Sequence, residues 1–482
     1  MAVSRAGELS ALNTRLSNLG TAAWRRSPGR RLGRVAYLIP PFLAVLVVVG
    51  VQLSNSGNSP AAPGNPVLSD GGVTDLLPQT EISSLGVVDT SDIDGRINFW
   101  KQRTQVHGAS DDDWVALGDV FDLRGRMTGD ISSYLAATQA YQTAVGMAAN
   151  NSAAHSGSAR EMATLHDFVG ALNEATTTID LNPNALGALG VAFDASVELG
   201  HIDAAQQTLQ ELQARTDSPS IGARQARLDF LRGDTVTAIQ EVEGAATDSS
   251  DAGDLPSSVA FYDYTAAEYE LFAGNLAAAQ SDYSNALALL PGYPLAIYGE
   301  GRIAYARGDL GSAISYVETA TAALPRPDML AFLGDLYALT GNQSKAADQY
   351  ATVDFIAQMT EQSGGGKVYD REYGLFLSEH NRDVARALEI AQNEIQYRQD
   401  VYGYDALAMA LHANGRDAEA LNAINQALAL GTADPRMLLH AGLIEIANGL
   451  TDQGKAHLTQ ALALNPTVSP LVVDEARKAL GQ

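Results

Sequence analysis

Two patterns of apolar positions divide the chain. The first is an uninterrupted apolar run, VAYLIPPFLAVLVVVGVQL, Val35 to Leu53. The second is periodic: GNLAAAQSDYSNALALLPGY, Gly274 to Tyr293, recurs 34 residues later as GDLGSAISYVETATAALPRP, with Gly, Ala, Ala and Pro in phase. A repeat that keeps small residues and helix enders in register describes a packed helical unit, because repetition at a period of 20 to 50 residues is the signature of stacked supersecondary structure.

Number the repeat so that Gly274 is position 15; Ala279 is then position 20, Tyr283 position 24, Ala286 position 27 and Pro291 position 32. Glycine at the end of a first helix can turn left-handed, and proline stops the second. Small residues at positions 8, 20 and 27 let two antiparallel helices approach closely. Position 20 can be followed through Ala137, Ala171, Ala205, Ala238, Ala279, Ala313, Ala346, Ala387, Ala420 and Gly454, at intervals of 34, 34, 33, 41, 34, 33, 41, 33 and 34. Ten units of about two helices each therefore span residues 93–481. The two 41-residue intervals fall at Ala246–Ser258 and Gln358–Tyr373, where loops and breaks between blocks of units are expected. The first inter-helix turn, LRGRMTGDISS, is also long. The unit around Ala387 has Asn381 and Arg382 where the turn glycine should be.

This pattern resembles the tetratricopeptide repeat, and WVALGDVF, Trp114 to Phe121, resembles the Trp, Leu, Gly, Tyr signature of its first helix. The resemblance implies an all-α, right-handed superhelical solenoid of about ten antiparallel helix pairs. Each unit would bury one face only against its neighbours, giving stability as a chain of nearest-neighbour terms. VSPLVVDEARKALGQ would cap the end. The resemblance also implies that positions 2, 5, 9 and 12 of the first helices point into a concave groove that binds a protein or peptide. Those positions include Arg160, Arg227, Phe230, Phe261, Tyr264, Glu268, Tyr298, Arg302, Tyr305, Tyr402, Asp405 and His412. Tyr and Arg most often anchor interfaces, which favours the middle units. The Lys and Asn pair with which some family members grip acidic chaperone tails is not found in these units.

The apolar run changes the picture of the whole chain. Its 19 residues would reach roughly 28 Å as a helix, about one hydrocarbon thickness. WRRSPGRRLGR precedes it, which by the positive-inside rule keeps residues 1–34 cytoplasmic and exports the rest. The expected order is a basic segment (1–34), a transmembrane helix (35–53), a flexible Ser/Asn/Gly/Pro linker (54–92) and the solenoid; a cleaved signal peptide is the alternative.

Charge and chemistry narrow function further. The net charge is −25, but seven arginines and one glutamate precede Val35, so residues 35–482 hold 24 basic against 55 acidic side chains, a net −31. A body so acidic repels nucleic acid. There is no cysteine, which excludes disulfides and thiolate chemistry. No phosphate loop, HExxH or GxSxG motif occurs, and QSGGGKVYD at Gln362–Asp370 lacks the strand and the hydroxyl residue of a nucleotide loop. The eight histidines show no ligand spacing; His166 and His201 read as surface turn residues, while His412 and His440 could approach each other. No catalytic, cofactor or metal residue is assigned. The expected function is a membrane-anchored interaction scaffold, with a self-associating spacer and an enzyme of unrecognised site as the alternatives.

Overall fold

The computed structural model describes residues 93–128, 130–363 and 368–482. The expected leader, membrane segment and linker lie outside them, as does the GGGK run. Among the described residues there are twenty-two α-helices and no strand. Helix α1 (Ile93–Arg103) precedes the first pair, α2 (Asp111–Thr128) with α3 (Ile131–Met147). Units 2 to 4 are α4 (Ser152–Thr164) with α5 (Phe168–Leu181), α6 (Leu186–Glu198) with α7 (Ile202–Gln213), and α8 (Ser220–Leu231) with α9 (Thr235–Asp251). Units 5 to 7 are α10 (Pro256–Phe272) with α11 (Leu276–Leu289), α12 (Pro294–Ala306) with α13 (Leu310–Ala323), and α14 (Pro327–Leu339) with α15 (Gln343–Ser363). Units 8 to 10 are α16 (Asp370–Glu379) with α17 (Val384–Glu394), α18 (Val401–Ala413) with α19 (Asp417–Ala427), and α20 (Pro435–Ala447) with α21 (Thr451–Leu464). Helix α22 (Pro470–Leu480) follows.

The repeat does what its small residues require. The nine alanines at position 20 are at most 1% exposed. In the tenth unit that place is Gly454, where a Cβ would stand 2.6 Å from the Gly442 carbonyl oxygen, so two helix backbones meet there directly. Asp234, Asp309 and Asp400 accept backbone N–H groups at the starts of α9, α13 and α18, satisfying donors that a helix leaves unpaired.

Several expectations are corrected. The 41-residue intervals are absorbed largely by helix: α9 runs on to Asp251 with Ala245, Ala246 and Ser249 buried, and α15 to Ser363 with Ile356 and Thr360 buried. Polar, Gly-containing sequence still makes helix where one side has a neighbour to cover. The long first turn is likewise taken up by α2. His166 does occupy the glycine position, with φ of 58°, but it is buried and stacks on Phe168 at 5.3 Å. In unit 8 the turn places two residues at positive φ, Asn381 at 49° and Asp383 at 25°.

The largest departure concerns additivity, because units six apart touch. The turns of units 3, 4 and 5 rest on the segments that precede unit 9, unit 10 and α22. A Cβ at Gly200, Gly233 or Gly274 would overlap the carbonyl oxygens of Gln399, Gly431 and Leu464 respectively. Thr432 Oγ1 donates to the Leu231 carbonyl at 2.6 Å, and Asn465 Nδ2 to the Leu271 carbonyl at 3.0 Å. Both acceptors lie in the last turn of a helix, where carbonyls lack an intrahelical donor. One apolar core spans the same seam, joining Phe193, Val197, Leu228 and Leu231 to Val401, Leu411, Ile424 and Met437. Helix α22 covers Leu438, Leu439 and Leu458 as a cap should, and it also packs on α14.

Two glycines separate seam from turn. Gly274 and Gly308 share a φ of 79°, yet a Cβ at Gly308 meets nothing within 4 Å. Gly308→Ala should cost about 1 kcal/mol, the left-handed penalty alone. Gly274→Ala should cost roughly 1–3 kcal/mol more, as overpacking does. Equal losses in urea denaturation would show that the seam does not contribute to stability.

Candidate functional site

The inner face is built from the first helices, and its charges alternate along the array. Asp119 stands on it in unit 1 and, six residues before the turn in units 2 to 7, Arg160, Asp194, Arg227, Glu268, Arg302 and Asp335. Acid and arginine from consecutive units meet in pairs. In units 1 and 2, Tyr141 donates its hydroxyl to Asp119 at 2.7 Å and accepts from Arg160 at 3.1 Å. Units 5 and 6 repeat the arrangement: Tyr283 donates to Glu268 at 2.5 Å and accepts from Arg302 at 2.9 Å, while Arg302 also bonds Glu268. In units 3 and 4, Arg224 grips Asp194 and Arg227 pairs with Glu198. Burial pushes Asp194 up to about 6 against the pull of Arg224. In units 7 and 8, His380 and Tyr350 both bond Asp335 at 2.8 Å.

At the seam the pairs link into a chain of opposite charges: Arg227, Glu198, Arg398, Glu394, Arg371 and Asp400. Arg227 and Arg398 both bond Glu198; Arg398 lies 3.5 Å from Glu394, which is 2.6 Å from Arg371, and Arg371 is 2.7 Å from Asp400. Three positive and three negative groups balance. Burial alone would raise Glu198, but Arg398 and Arg227 overcome it and hold its carboxyl well below the usual range. Arg398→Gln would leave that carboxylate buried and underpaired, a change expected to cost about 3 kcal/mol. Adding Glu198→Gln should recover part of the loss, and a double-mutant cycle by chemical denaturation reads the coupling.

The expected groove residues fall into four groups. Tyr264, Glu268, Tyr298, Arg302 and Tyr305 form one continuous surface on units 5 and 6. There Arg302 lies 4.8 Å from the centre of the Tyr298 ring, and Tyr298 and Tyr305 stand edge-on to Phe332 of unit 7 at 5.7 and 5.5 Å. Tyr264 packs on Tyr293 at 5.5 Å. Arg227 and Tyr402, 175 positions apart in the chain, are brought together across the seam in a cleft of about 170 Å³. Phe230 and Phe261 are buried instead, with Phe230 stacked between Tyr269 and Phe272. Asp405 is buried too, and His412 pairs with Asp417 of its own unit at 2.6 Å.

His440 does not reach His412. It is fully buried, with Nδ1 2.9 Å from Asp405 and Nε2 3.0 Å from Glu379, which also binds Arg436 at 2.6 Å. Burial would lower its pKa, but Asp405 and Glu379 reverse this and raise it to about 9 from the ordinary 6.5. The pairing therefore stabilises fully below about pH 6.5, and its contribution, on the order of 3 kcal/mol, disappears as pH rises through about 9. His440→Leu should flatten the loss of stability between pH 6.5 and 9.5 in denaturation series; an unchanged slope would assign it elsewhere.

Sequence reasoning missed the seam residues Glu198, Arg371, Arg398 and Asp400. The signal was slight: arginines on otherwise acidic helices. A different cluster, of acids alone, is shared by α9, α10 and α11. Asp282 is pushed up to about 7 by burial and by Glu243, Asp263 and Glu270, and Asp263 to about 6 by burial.

A family model for the tetratricopeptide repeat matches residues 264–326 and 298–357. No match was found among curated proteins. Similar solved structures include a human IFIT1 dimer with m7Gppp-AAAA, 12% identical over 73% of this chain and 79% of that one, at a TM-score of 0.45. Another is the Cut9–Hcn1 hetero-tetramer of the APC/C, 14% identical over 86% and 100%, at 0.29. A third is a tetratricopeptide repeat protein from Parabacteroides merdae, 17% identical over 55% and 100%, at 0.30. Likeness of this degree says nothing of ligand or partner. The chain carries tetratricopeptide repeats in an all-helical solenoid, a scaffold of the kind suited to protein–protein interaction. Among the described residues no helix is long and apolar enough to cross a membrane, and the candidate span 35–53 lies outside them.

Proposed function

We propose that this chain is a membrane-anchored scaffold whose repeat array lies outside the cytoplasm and recruits peptide segments or subunits of an envelope assembly, without catalysis of its own. The anchoring rests on sequence: the apolar run 35–53 follows five arginines in eleven residues. Recruitment is supported by one observation above the rest, the contiguous Tyr264, Tyr298, Arg302 and Tyr305 surface. These side chains are only partly buried and combine large contact area with directional hydrogen bonding. Their packing against Glu268 and Phe332 fixes their rotamers before a partner arrives, which lowers the entropy cost of binding.

Arg302→Gln with Tyr305→Ala tests the surface. Cross-linking in the native membrane should capture the partner from the wild-type chain and at least about tenfold less from the variant, at unchanged helical content. Full capture by a folded variant would place the contact elsewhere. Protease added from outside, with any outer barrier opened, should digest residues 93–482; protection of that region would overturn the topology.

A further inference from the structure

We propose that the seam cleft between units 3, 4 and 9 is a recognition pocket for a carboxylate lying next to an aliphatic side chain on a partner segment. The inference rests on the scaffold reading above and sharpens it. The cleft exists only because the array closes on itself after six units: Val197 and Leu231 come from units 3 and 4, Tyr402 from unit 9, and Ala429 and Leu430 from the segment behind it. Its walls are therefore absent from any isolated run of repeats.

The lining defines what fits. Val197, Leu231 and Leu430 give an apolar wall, and about 170 Å³ admits an aliphatic side chain with a neighbouring carboxylate rather than a folded element. The charged groups around it are satisfied with one exception. Asp400 accepts both terminal nitrogens of Arg371 and the backbone N–H of Gly403. Arg227 uses one terminal nitrogen on Glu198, which leaves the other and Nε without an acceptor among the described residues. The Tyr402 hydroxyl likewise has no hydrogen-bond partner among them. A planar guanidinium with unused N–H groups beside a free hydroxyl matches a carboxylate, because charge-assisted bonds to arginine are the strong ones. An aliphatic group on the same segment would fill the apolar side, displacing water that has few polar partners there.

The carboxylate can belong to a Glu side chain or to a chain terminus, and capped peptides separate the two. The full-length chain in detergent micelles is titrated with Gly/Ser peptides carrying Leu-Glu, Leu-Gln or Ala-Glu in the middle, or ending in Leu as free acid or amide. The acid form of one pair should bind at least about tenfold tighter than its neutral counterpart. If that pair is the internal one, Ala-Glu should bind more weakly than Leu-Glu. Ala429→Phe, at an exposed position on the cleft wall, should abolish binding without affecting the fold, and Tyr402→Phe should weaken it several-fold. Arg227→Gln should erase the preference for the acid, but because it also releases Glu198 the two other variants carry the decision. No binding, equal binding of acid and neutral peptides, or binding that survives Ala429→Phe overturns the pocket. The scaffold reading is tested apart: the surface on units 5 and 6 is intact in the Ala429→Phe chain, which should therefore still cross-link a partner held there while losing the peptides. If the wild-type chain captures nothing, the scaffold falls while the peptide titration still reports on the pocket.

Discussion

Closure of the array after six units is the constraint on which the rest of this structure depends. In an open solenoid each unit answers only to its neighbours, and stability adds along the chain. Here the turns of units 3 to 5 touch segments about 190 to 200 residues later, backbone against backbone. Such proximity leaves no room for a side chain, so glycine at three turns answers two demands, a left-handed conformation and a close approach. The helix ends that meet there carry carbonyls beyond the reach of the intrahelical ladder; Thr432 supplies a donor to Leu231, and Asn465 adds one to Leu271 beside the Gly274 N–H.

Closure also explains why so much charge is buried. A joint between distant parts of a chain must be specified as well as stabilised, and apolar surfaces alone would tolerate sliding by one helical turn. The alternating run from Arg227 to Asp400 has one register in which every charge finds its opposite. A shift would leave a buried ion alone, which costs far more than the pair gains. The same logic operates at smaller scale on the inner face, where acid and arginine alternate from unit to unit and a tyrosine often bridges them.

The helical units were legible in the sequence because packing dictates residue size at fixed spacing, and Ala279 or Val317 can be small or apolar for only one reason. Turn positions were legible for the same cause. Helix lengths were less so: TDSSDAGD reads as loop, yet half of it continues α9, since a helix is extended by whatever tertiary neighbour covers its last turn. The seam was not legible at all. Nothing in Gly200, Gly233 and Gly274 distinguishes them from Gly308, Gly341 and Gly415, because the difference lies in what the chain places beside them six units later. For the inner face, composition located the right helices but could not tell Arg302, whose flat side stays on Tyr298, from Phe230, which is sealed between two rings.

The pairing on the inner face bears on where the excess of acid resides. Several inner-face arginines are matched by carboxylates, which leaves little unbalanced charge around them, whereas the second helices carry far more acidic than basic side chains. Between Arg232 and Arg302 the chain has eleven acidic residues and no Lys, Arg or His, and Glu268 is the member of that set that reaches Arg302. Four others, Glu243, Asp263, Glu270 and Asp282, crowd one another, as the raised pKa of Asp282 records. Long-range repulsion by the outer surface keeps arrays apart and discourages polyanions, whereas recognition on the inner face is decided at short range by arginine, tyrosine and shape. The two surfaces can therefore be tuned independently, because the charges that set solubility are not those that close the fold or meet a partner.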